Sequence, residues 1–215
     1  MVFTIAMSDY LRQMFRETRI LPVVTIENAT DAPHLVQALA AGGIHNIEIT
    51  MRTDTSLEAM KAIISTHADM IVGAGTVFTP EQASAAVKAG ARYIVSPGYS
   101  EKVHEACNDM SVAYLPGAVT AHEIQQAQES GLSVLKFFPA EASGGVAMLK
   151  ALAPVFSDII FCATGGVSLQ NASTYLALPN IAAVGMSSIT PAEALAAKDW
   201  DKITALARQA AALWQ

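Results

Sequence analysis

The sequence predicts an α/β protein of the (β/α)8, or TIM-barrel, class. Eight short apolar segments rich in β-branched residues alternate with longer amphipathic segments along the 215 residues. Most of the eight are continuously apolar, which is typical of parallel strands buried on both faces. They recur roughly every 20 to 28 residues, as the βα units of a barrel do. No linker or low-complexity stretch interrupts them, so we expect residues 1–215 to form a single domain.

The predicted elements are eight strands and one helix outside the repeat. A helix at about residues 8–18 precedes the first strand and is expected to cover the bottom of the barrel. The alternative, a doubly wound sheet, usually carries a Gly-rich turn after its first strand. Here that turn reads "ENATDAP", which favours the barrel. The strands are predicted at residues 20–26, 46–50, 70–75, 93–97, 113–118, 134–138, 159–164 and 181–185.

Capping signals mark several helix ends. "TPEQ" from Thr79, "TAHE" from Thr120 and "TPAE" from Thr190 each place a hydroxyl three residues before Glu or Gln, the pattern of a capping box. Gly90 and Gly131 follow helical patterns where a left-handed residue often ends a helix. These signals set the borders of the βα units.

Composition and charge exclude several classes of protein. A net charge of −6 without a basic cluster argues against a nucleic-acid or anionic-membrane partner, and no apolar run is long enough to span a membrane. Cys107 and Cys162 lie far apart, which suggests neither a disulfide framework nor a structural zinc site and favours the cytoplasm. The five histidines lack ligand spacing, so neither a metal nor another cofactor is expected.

Polar residues follow or end many of the predicted strands. In a (β/α)8 barrel the carboxyl ends of the strands meet at one mouth, where the active site forms. We therefore expect these residues to converge there. They are Glu48, Arg52, Thr76, residues 96–98, Lys136, residues 164–166, Ser187 and Ser188.

Lys136, within "LSVLKFFPAE", is the strongest catalytic candidate. The other lysines fall in helical or helix-flanking segments, whereas Lys136 lies inside an apolar strand. It could extend to the barrel rim or pair with a core carboxylate in a purely structural role. Alternatively, burial disfavours the charged form of an amine, so Lys136 could be a nucleophile that forms a Schiff base.

Two charged residues of "NIEITMRT" have similar alternatives. Glu48 could neutralise Lys136, act as a general acid/base, or do both. Arg52 could be an ordinary surface charge, but at a barrel mouth it is suited to bind a carboxylate with two hydrogen bonds. Thr76 would add a hydroxyl. These residue types together indicate a site for a small carboxylic acid.

The segment "TGGVS" indicates an anion site. Gly165 and Gly166 lie at the turn between the seventh strand and a helix, where backbone N–H groups can bind a phosphate. The loops after strands seven and eight are the usual phosphate site of this fold, and Ser187 follows strand eight. Glycines at such a turn could also serve the turn alone.

Five motifs in order resemble one family. "GGIHNIEITMRT", "VGAGTV", "VSPG", "LKFFPAE" and "CATGGVS" are similar to the motifs of the 2-keto-3-deoxy-6-phosphogluconate (KDPG) and 4-hydroxy-2-oxoglutarate (KHG) aldolases. The combination of E-x-x-x-R-T with KFFPAE is the specific part of the match. The resemblance runs from about the first strand to the C-terminal helix.

The resemblance implies a class I aldolase of the Entner–Doudoroff pathway that releases pyruvate, needs no metal or cofactor, and usually forms a homotrimer. It implies that Lys136 forms the Schiff base and that Glu48 is the acid/base. The remaining roles follow from the same resemblance. Arg52, Thr76 and Phe138 would shape the pyruvyl pocket with Pro97 in its wall, and Gly165, Gly166 and Ser187 would hold phosphate.

Other activities are compatible with the same residues. A related Schiff-base enzyme could act on 4-hydroxy-2-oxoglutarate, on the galactose-derived epimer, or on oxaloacetate by decarboxylation. A phosphosugar isomerase or epimerase would use acid/base pairs and leave Lys136 as an electrostatic contact. A binding protein would show no turnover. A barrel fold alone cannot distinguish these functions.

Overall fold

The computed structural model of the protein describes residues 2–214, with side chains described for residues 8–214. Within this range eight parallel strands form one sheet in the order β5-β4-β3-β2-β1-β8-β7-β6. Helices follow the strands, so the predicted (β/α)8 class is confirmed. The strands are β1 Ile20–Val24, β2 Asn46–Thr50, β3 Ile71–Gly75, β4 Tyr93–Ser96, β5 Ala113–Pro116, β6 Val134–Phe137, β7 Ile160–Thr164 and β8 Ile181–Met186.

Ten α-helices and two short 3-10 turns complete the described chain. No helix among residues 2–214 has both the length and the apolar character needed to cross a membrane. The 3-10 turns are Ala29–Asp31 and Glu141–Ser143. The helices are α1 Val2–Glu17, α2 Ala32–Ala41, α3 Ser56–Thr66, α4 Pro80–Lys88, α5 Glu101–Asp109, α6 Ala121–Glu129, α7 Gly145–Leu152, α8 Ala172–Leu176, α9 Ala192–Ala197 and α10 Trp200–Ala211.

The barrel closes between β5 and β6 through few contacts. These strands are the two ends of the sheet order, and Gly117 pairs with Lys136 just beyond the end of β5. The N–H of Ala118 donates to the carbonyl of Lys136 at 2.9 Å. The candidate lysine therefore lies where β5 and β6 meet and close the barrel, which we call the seam of the barrel.

Helix α1 covers the bottom of the barrel, as predicted, although it begins earlier than residue 8. Its Leu11, Met14 and Phe15 pack against the residues that fill the barrel interior. Arg12 donates to the carbonyls of Ser133 and Asp158, which precede β6 and β7. Within the described residues, α1 thus covers the amino-terminal ends of the strands, and their carboxyl ends are left open.

Two of the three predicted helix caps are present. Thr79 accepts from the N–H of Gln82, and Thr120 forms a complete capping box with Glu123. The predicted left-handed glycines after α4 and α6 are also present, because Gly90 and Gly131 have φ angles of 99° and 83°.

The capping prediction for Thr190 is wrong. Helix α9 has Pro191 as its N-cap residue and no side-chain cap. The hydroxyl of Thr190 is instead within 3.4 Å of the carbonyl of Ser187, to which it donates. The residue therefore supports the loop after β8 rather than the helix.

Stability should depend on pH through His104 on α5. The residue is buried, its ring stacks on Tyr114 with centroids 5.9 Å apart, and its Nε2 has no hydrogen-bond partner in the described chain. Burial lowers the pKa of His104 below its usual value, so the unfolded chain takes up the proton first. This contribution to stability is present above pH about 6.5 and is lost as the pH falls from there through the folded-state pKa.

Urea unfolding between pH about 7.5 and about 5 measures this effect. We expect the free energy of unfolding to fall with pH in the unmodified protein and less steeply in His104→Phe. His122→Phe is the control, because His122 is exposed. Parallel slopes for the unmodified protein and His104→Phe would contradict the assignment.

Candidate active site

The centre of the site is a buried pair formed by Lys136 and Glu48. Lys136 Nζ lies 3.0 Å from Glu48 Oε1 and 3.4 Å from Oε2. The two residues come from β6 and β2, which lie four positions apart in the sheet order, so they meet across the barrel interior. Lys136 is only 6% exposed and Glu48 is 0% exposed. The predicted convergence of these two residues is therefore present.

Glu48 occupies space that a neighbouring glycine leaves open. A Cβ atom at Gly75, the last residue of β3, would lie 2.2 Å from Glu48 Oε1 and 2.6 Å from its Cγ. One layer deeper, a Cβ at Gly73 would lie 2.1 Å from the ring of Tyr93. The two glycines of "VGAG" thus make room for the carboxylate and for the aromatic ring beneath it.

The groups nearest to this pair remain protonated at neutral pH. Cys162 pairs in register with Lys136, and burial raises the pKa of its thiol to about 12. Burial, with a further contribution from the charge of Glu48, raises the pKa of Tyr93 well above its usual value. Tyr93 donates its hydroxyl to the carbonyl of Ile47. Glu48 is therefore the group positioned to exchange a proton with Lys136.

A cleft of about 570 Å³ lies at the carboxyl ends of the strands, and neither Lys136 nor Glu48 is among its lining residues. Thr50 and Phe138 line it, each two residues beyond Glu48 and Lys136 on the same strand face. The centroid of the Phe138 ring lies 5.3 Å from Lys136 Nζ. Phe137 points the other way and packs edge-on against Phe161 in the outer core. The amine thus lies one layer deeper than two residues that line the cleft, and next to an aromatic ring.

The predicted anion-binding residues lie in the same cleft. Gly165, Gly166, Ser187 and Arg52 all line it. The two glycines have φ angles of 100° and 81°, which side chains rarely adopt. The expectation that a helix begins at this turn is wrong, because α8 begins only at Ala172. An anion bound here would therefore contact the N–H groups of the turn and Ser187, without the N-terminus of a helix.

Of the residues predicted for catalysis and substrate binding, four do not line this cleft: Lys136, Glu48, Thr76 and Pro97. Pro97 follows β4 and is half-buried, and its carbonyl contacts Gly117 so closely that a Cβ there would lie 1.9 Å away. Thr76 follows β3 with a φ angle of 60°. This is an unfavourable backbone conformation for a β-branched residue, and such strain is concentrated at functional sites.

Four threonines line the cleft, and sequence reasoning had placed only Thr164 among them at the barrel mouth. Thr25 and Thr50 share a hydrogen bond of 2.8 Å between their hydroxyls, and Thr164 lies above Cys162 with its hydroxyl 3.8 Å from the sulfur. Thr190 also contributes. Strand alternation could also have indicated Thr50, because it lies two residues beyond the inward-facing Glu48. Within the described chain, no three His, Cys, Asp or Glu side chains come together as a metal site.

The fold and the site together define a (β/α)8 barrel with a buried amine–carboxylate pair and, at the carboxyl ends of its strands, a cleft lined by the predicted anion-binding residues. A family model for the KDPG and KHG aldolases matches residues 11–206. The 2-dehydro-3-deoxy-phosphogluconate aldolase of Treponema pallidum is 45% identical over 92% of this chain and 94% of its own length. The KHG/KDPG aldolase of Escherichia coli is 41% identical over 89% and 90%, respectively.

A solved structure agrees with these sequence matches. The KDPG aldolase of Legionella pneumophila, with pyruvate captured at low pH as a covalent carbinolamine intermediate, is 41% identical. Its TM-score to this structure is 0.89, and the match covers 92% of this chain and 96% of that one. This chain belongs to the KDPG and KHG aldolase family and is an aldolase.

Gly75→Ala should impair turnover by displacing Glu48. The added methyl group cannot be accommodated 2.2 Å from Oε1, so the carboxylate must move away from Lys136. A misplacement of about 1 Å can cost on the order of 100-fold in rate, and we expect a loss of kcat of that size. Gly98→Ala is the control, because nothing lies within 4 Å of a Cβ there. Equal kcat values for both variants would contradict this role of Gly75.

Removing one member of the buried pair should cost more stability than removing both. Lys136→Met leaves the carboxylate of Glu48 buried without its partner, which we expect to lower the free energy of unfolding by about 3–5 kcal/mol. In the double variant Lys136→Met, Glu48→Leu no charge remains buried, so most of that loss should be recovered. Urea unfolding of the two variants measures the difference. A double variant no more stable than Lys136→Met would show that charge burial is not the cause.

Proposed function

We propose that this protein is a class I aldolase that cleaves 2-keto-3-deoxy-6-phosphogluconate to pyruvate and glyceraldehyde 3-phosphate through a Schiff base on Lys136. The observation that supports it most directly is the position of Lys136 Nζ, 3.0 Å from Glu48 Oε1 and 5.3 Å from the ring centroid of Phe138, which lines the cleft. The names of the relatives from Treponema pallidum and Legionella pneumophila support the substrate and the covalent chemistry.

Covalent attachment begins with a proton transfer inside the pair. When Glu48 accepts a proton from the ammonium group of Lys136, the neutral amine has a lone pair with which to attack the C2 carbonyl of the substrate. The resulting carbinolamine loses water, with Glu48 returning the proton to the departing hydroxyl. The product is a protonated imine, and Glu48 is again a carboxylate.

Cleavage uses the imine as the electron acceptor. Glu48, directly or through a water molecule, takes the proton of the C4 hydroxyl while the C3–C4 bond breaks. The electron pair of the broken C3–C4 bond moves toward the imine to form the enamine, and the aldehyde leaves. Glu48 then returns its proton to C3, and hydrolysis of the imine releases pyruvate and the free amine. One carboxylate thus performs every proton transfer in turn.

The rim of the cleft supplies the binding groups in this proposal. Arg52, with Thr76, holds the carboxylate of the keto acid. Phe138 packs against the pyruvyl group, and Pro97 forms its wall. The phosphate binds at the other end, to Gly165, Gly166 and Ser187, all of which line the cleft. Binding at both ends holds the C3–C4 bond in line with the imine.

The setting of the enzyme is also part of the proposal. We place it in the cytoplasm as a homotrimer whose single catalytic domain spans residues 1–215, with no metal or other cofactor. Sedimentation velocity tests the trimer.

A second substrate, 4-hydroxy-2-oxoglutarate, is favoured by the name of the Escherichia coli relative, KHG/KDPG aldolase.

Borohydride reduction in the presence of pyruvate tests the covalent step. We expect one reduced pyruvyl group per chain, located on Lys136 by peptide mapping, because only an imine can be reduced onto the amine. Lys136→Met should give no adduct, whereas the control Lys150→Met, at an exposed lysine of α7, should label normally. Absence of an adduct from folded, unmodified protein would overturn the Schiff-base mechanism.

A further inference from the structure

The loops that follow β6 and β7 are joined by backbone hydrogen bonds. The N–H of Ala140 donates to the carbonyl of Thr164 at 2.8 Å, and the N–H of Glu141 donates to that of Gly165 at 3.0 Å. The segment that continues from Lys136 is therefore attached directly to the turn that carries Gly165 and Gly166.

The same turn lies in close contact with Glu141. A Cβ at Gly166 would lie 2.6 Å from Glu141 Cγ and 2.7 Å from its Cβ. Gly166 lines the cleft, whereas Glu141 does not. The side chain of Glu141 thus supports Gly166 from the side that faces away from the substrate.

Glu141 is in turn held by a tyrosine from α8. The hydroxyl of Tyr175 donates to Glu141 Oε1. Tyr175 is fully buried, while the residue Glu141 is exposed. Burial, together with Glu141, raises the pKa of Tyr175 above its usual value, so the hydroxyl keeps its proton and remains a donor. The carboxylate therefore has one fixed partner.

We propose that Glu141 and Tyr175 are positioning residues that set the specificity of this aldolase for the phosphorylated end of its substrate. Their hydrogen bond keeps a negative charge turned away from the anion turn and holds Gly166 in its left-handed conformation. Without the bond, the side chain of Glu141 is free to rotate and no longer holds Gly166 in place at the phosphate site. This inference rests on the proposed function for its substrate and leaves the chemistry at Lys136 unaffected.

The test compares a phosphorylated with a non-phosphorylated substrate. In Tyr175→Phe the ring remains and the hydroxyl is lost, so we expect KM for 2-keto-3-deoxy-6-phosphogluconate to rise roughly 10-fold, the order of one hydrogen bond to a charged group. KM for 4-hydroxy-2-oxoglutarate, kcat for both substrates and borohydride trapping of pyruvate should remain within about two-fold of the unmodified protein.

Three further variants separate positioning from general stability. Glu141→Gln keeps an acceptor for Tyr175 and should retain a low KM, whereas Glu141→Ala should behave like Tyr175→Phe. Glu141→Ala also provides the test if Tyr175→Phe fails to fold, because it removes the same bond at an exposed residue. Tyr99→Phe is the matched control, since the hydroxyl of Tyr99 bonds to Ser130 outside the cleft.

The outcomes distinguish this inference from the proposed function. A rise in KM confined to the phosphorylated substrate, with normal trapping of pyruvate, supports it. An equal change in KM for both substrates, or a loss of kcat or trapping, overturns it in favour of a structural role. If the unmodified protein traps no pyruvate, the proposed function fails by itself. Calorimetric titration with inorganic phosphate still tests the role of Glu141 and Tyr175. Equal phosphate affinities for Tyr175→Phe and the unmodified protein overturn the inference.

Discussion

The ion pair between Lys136 and Glu48 is the interaction on which the rest of the site depends. Two charges removed from water are costly to bury, and each is tolerated because the other lies within 3.0 Å. This requirement explains the residues around them. Gly75 leaves space for the carboxylate, and the nearby thiol of Cys162 and phenol of Tyr93 stay neutral, so no third charge competes for the proton.

The seam of the barrel adds a second constraint on the lysine. The backbone of Lys136 takes part in closing the barrel, through its pairing with Gly117 and the hydrogen bond from Ala118, while the side chain points to the interior. One residue thus fixes both the closure and the position of the amine. A shift of one residue along β6 would turn the amine outward. The register at the seam is therefore as important to the chemistry as the side chain itself.

The parts of the structure set by local pattern could be predicted from the sequence. The strands were recognisable as apolar runs, and Lys136 and Glu48 stood out as charges within them. Predictions failed where contacts of loop residues, rather than helix or strand patterns, decide the outcome. Thr190 donates to Ser187 instead of capping α9. The bond between Glu141 and Tyr175 joins residues 34 positions apart, and no local pattern marks it. Thr50 was overlooked although strand alternation points to it.

The residues of the site lie on two kinds of structural element, the strands of the barrel and the loops that follow them. The amine and the carboxylate lie on strands inside a packed barrel, where displacement of either disturbs many neighbours. The groups proposed to bind the rest of the substrate follow the strand ends instead, in the loops after β2, β3, β4, β6, β7 and β8. Loops tolerate substitution better than a core does. A change of aldehyde specificity therefore requires changes only in loops such as the one that Glu141 supports, while the pair at the centre stays the same.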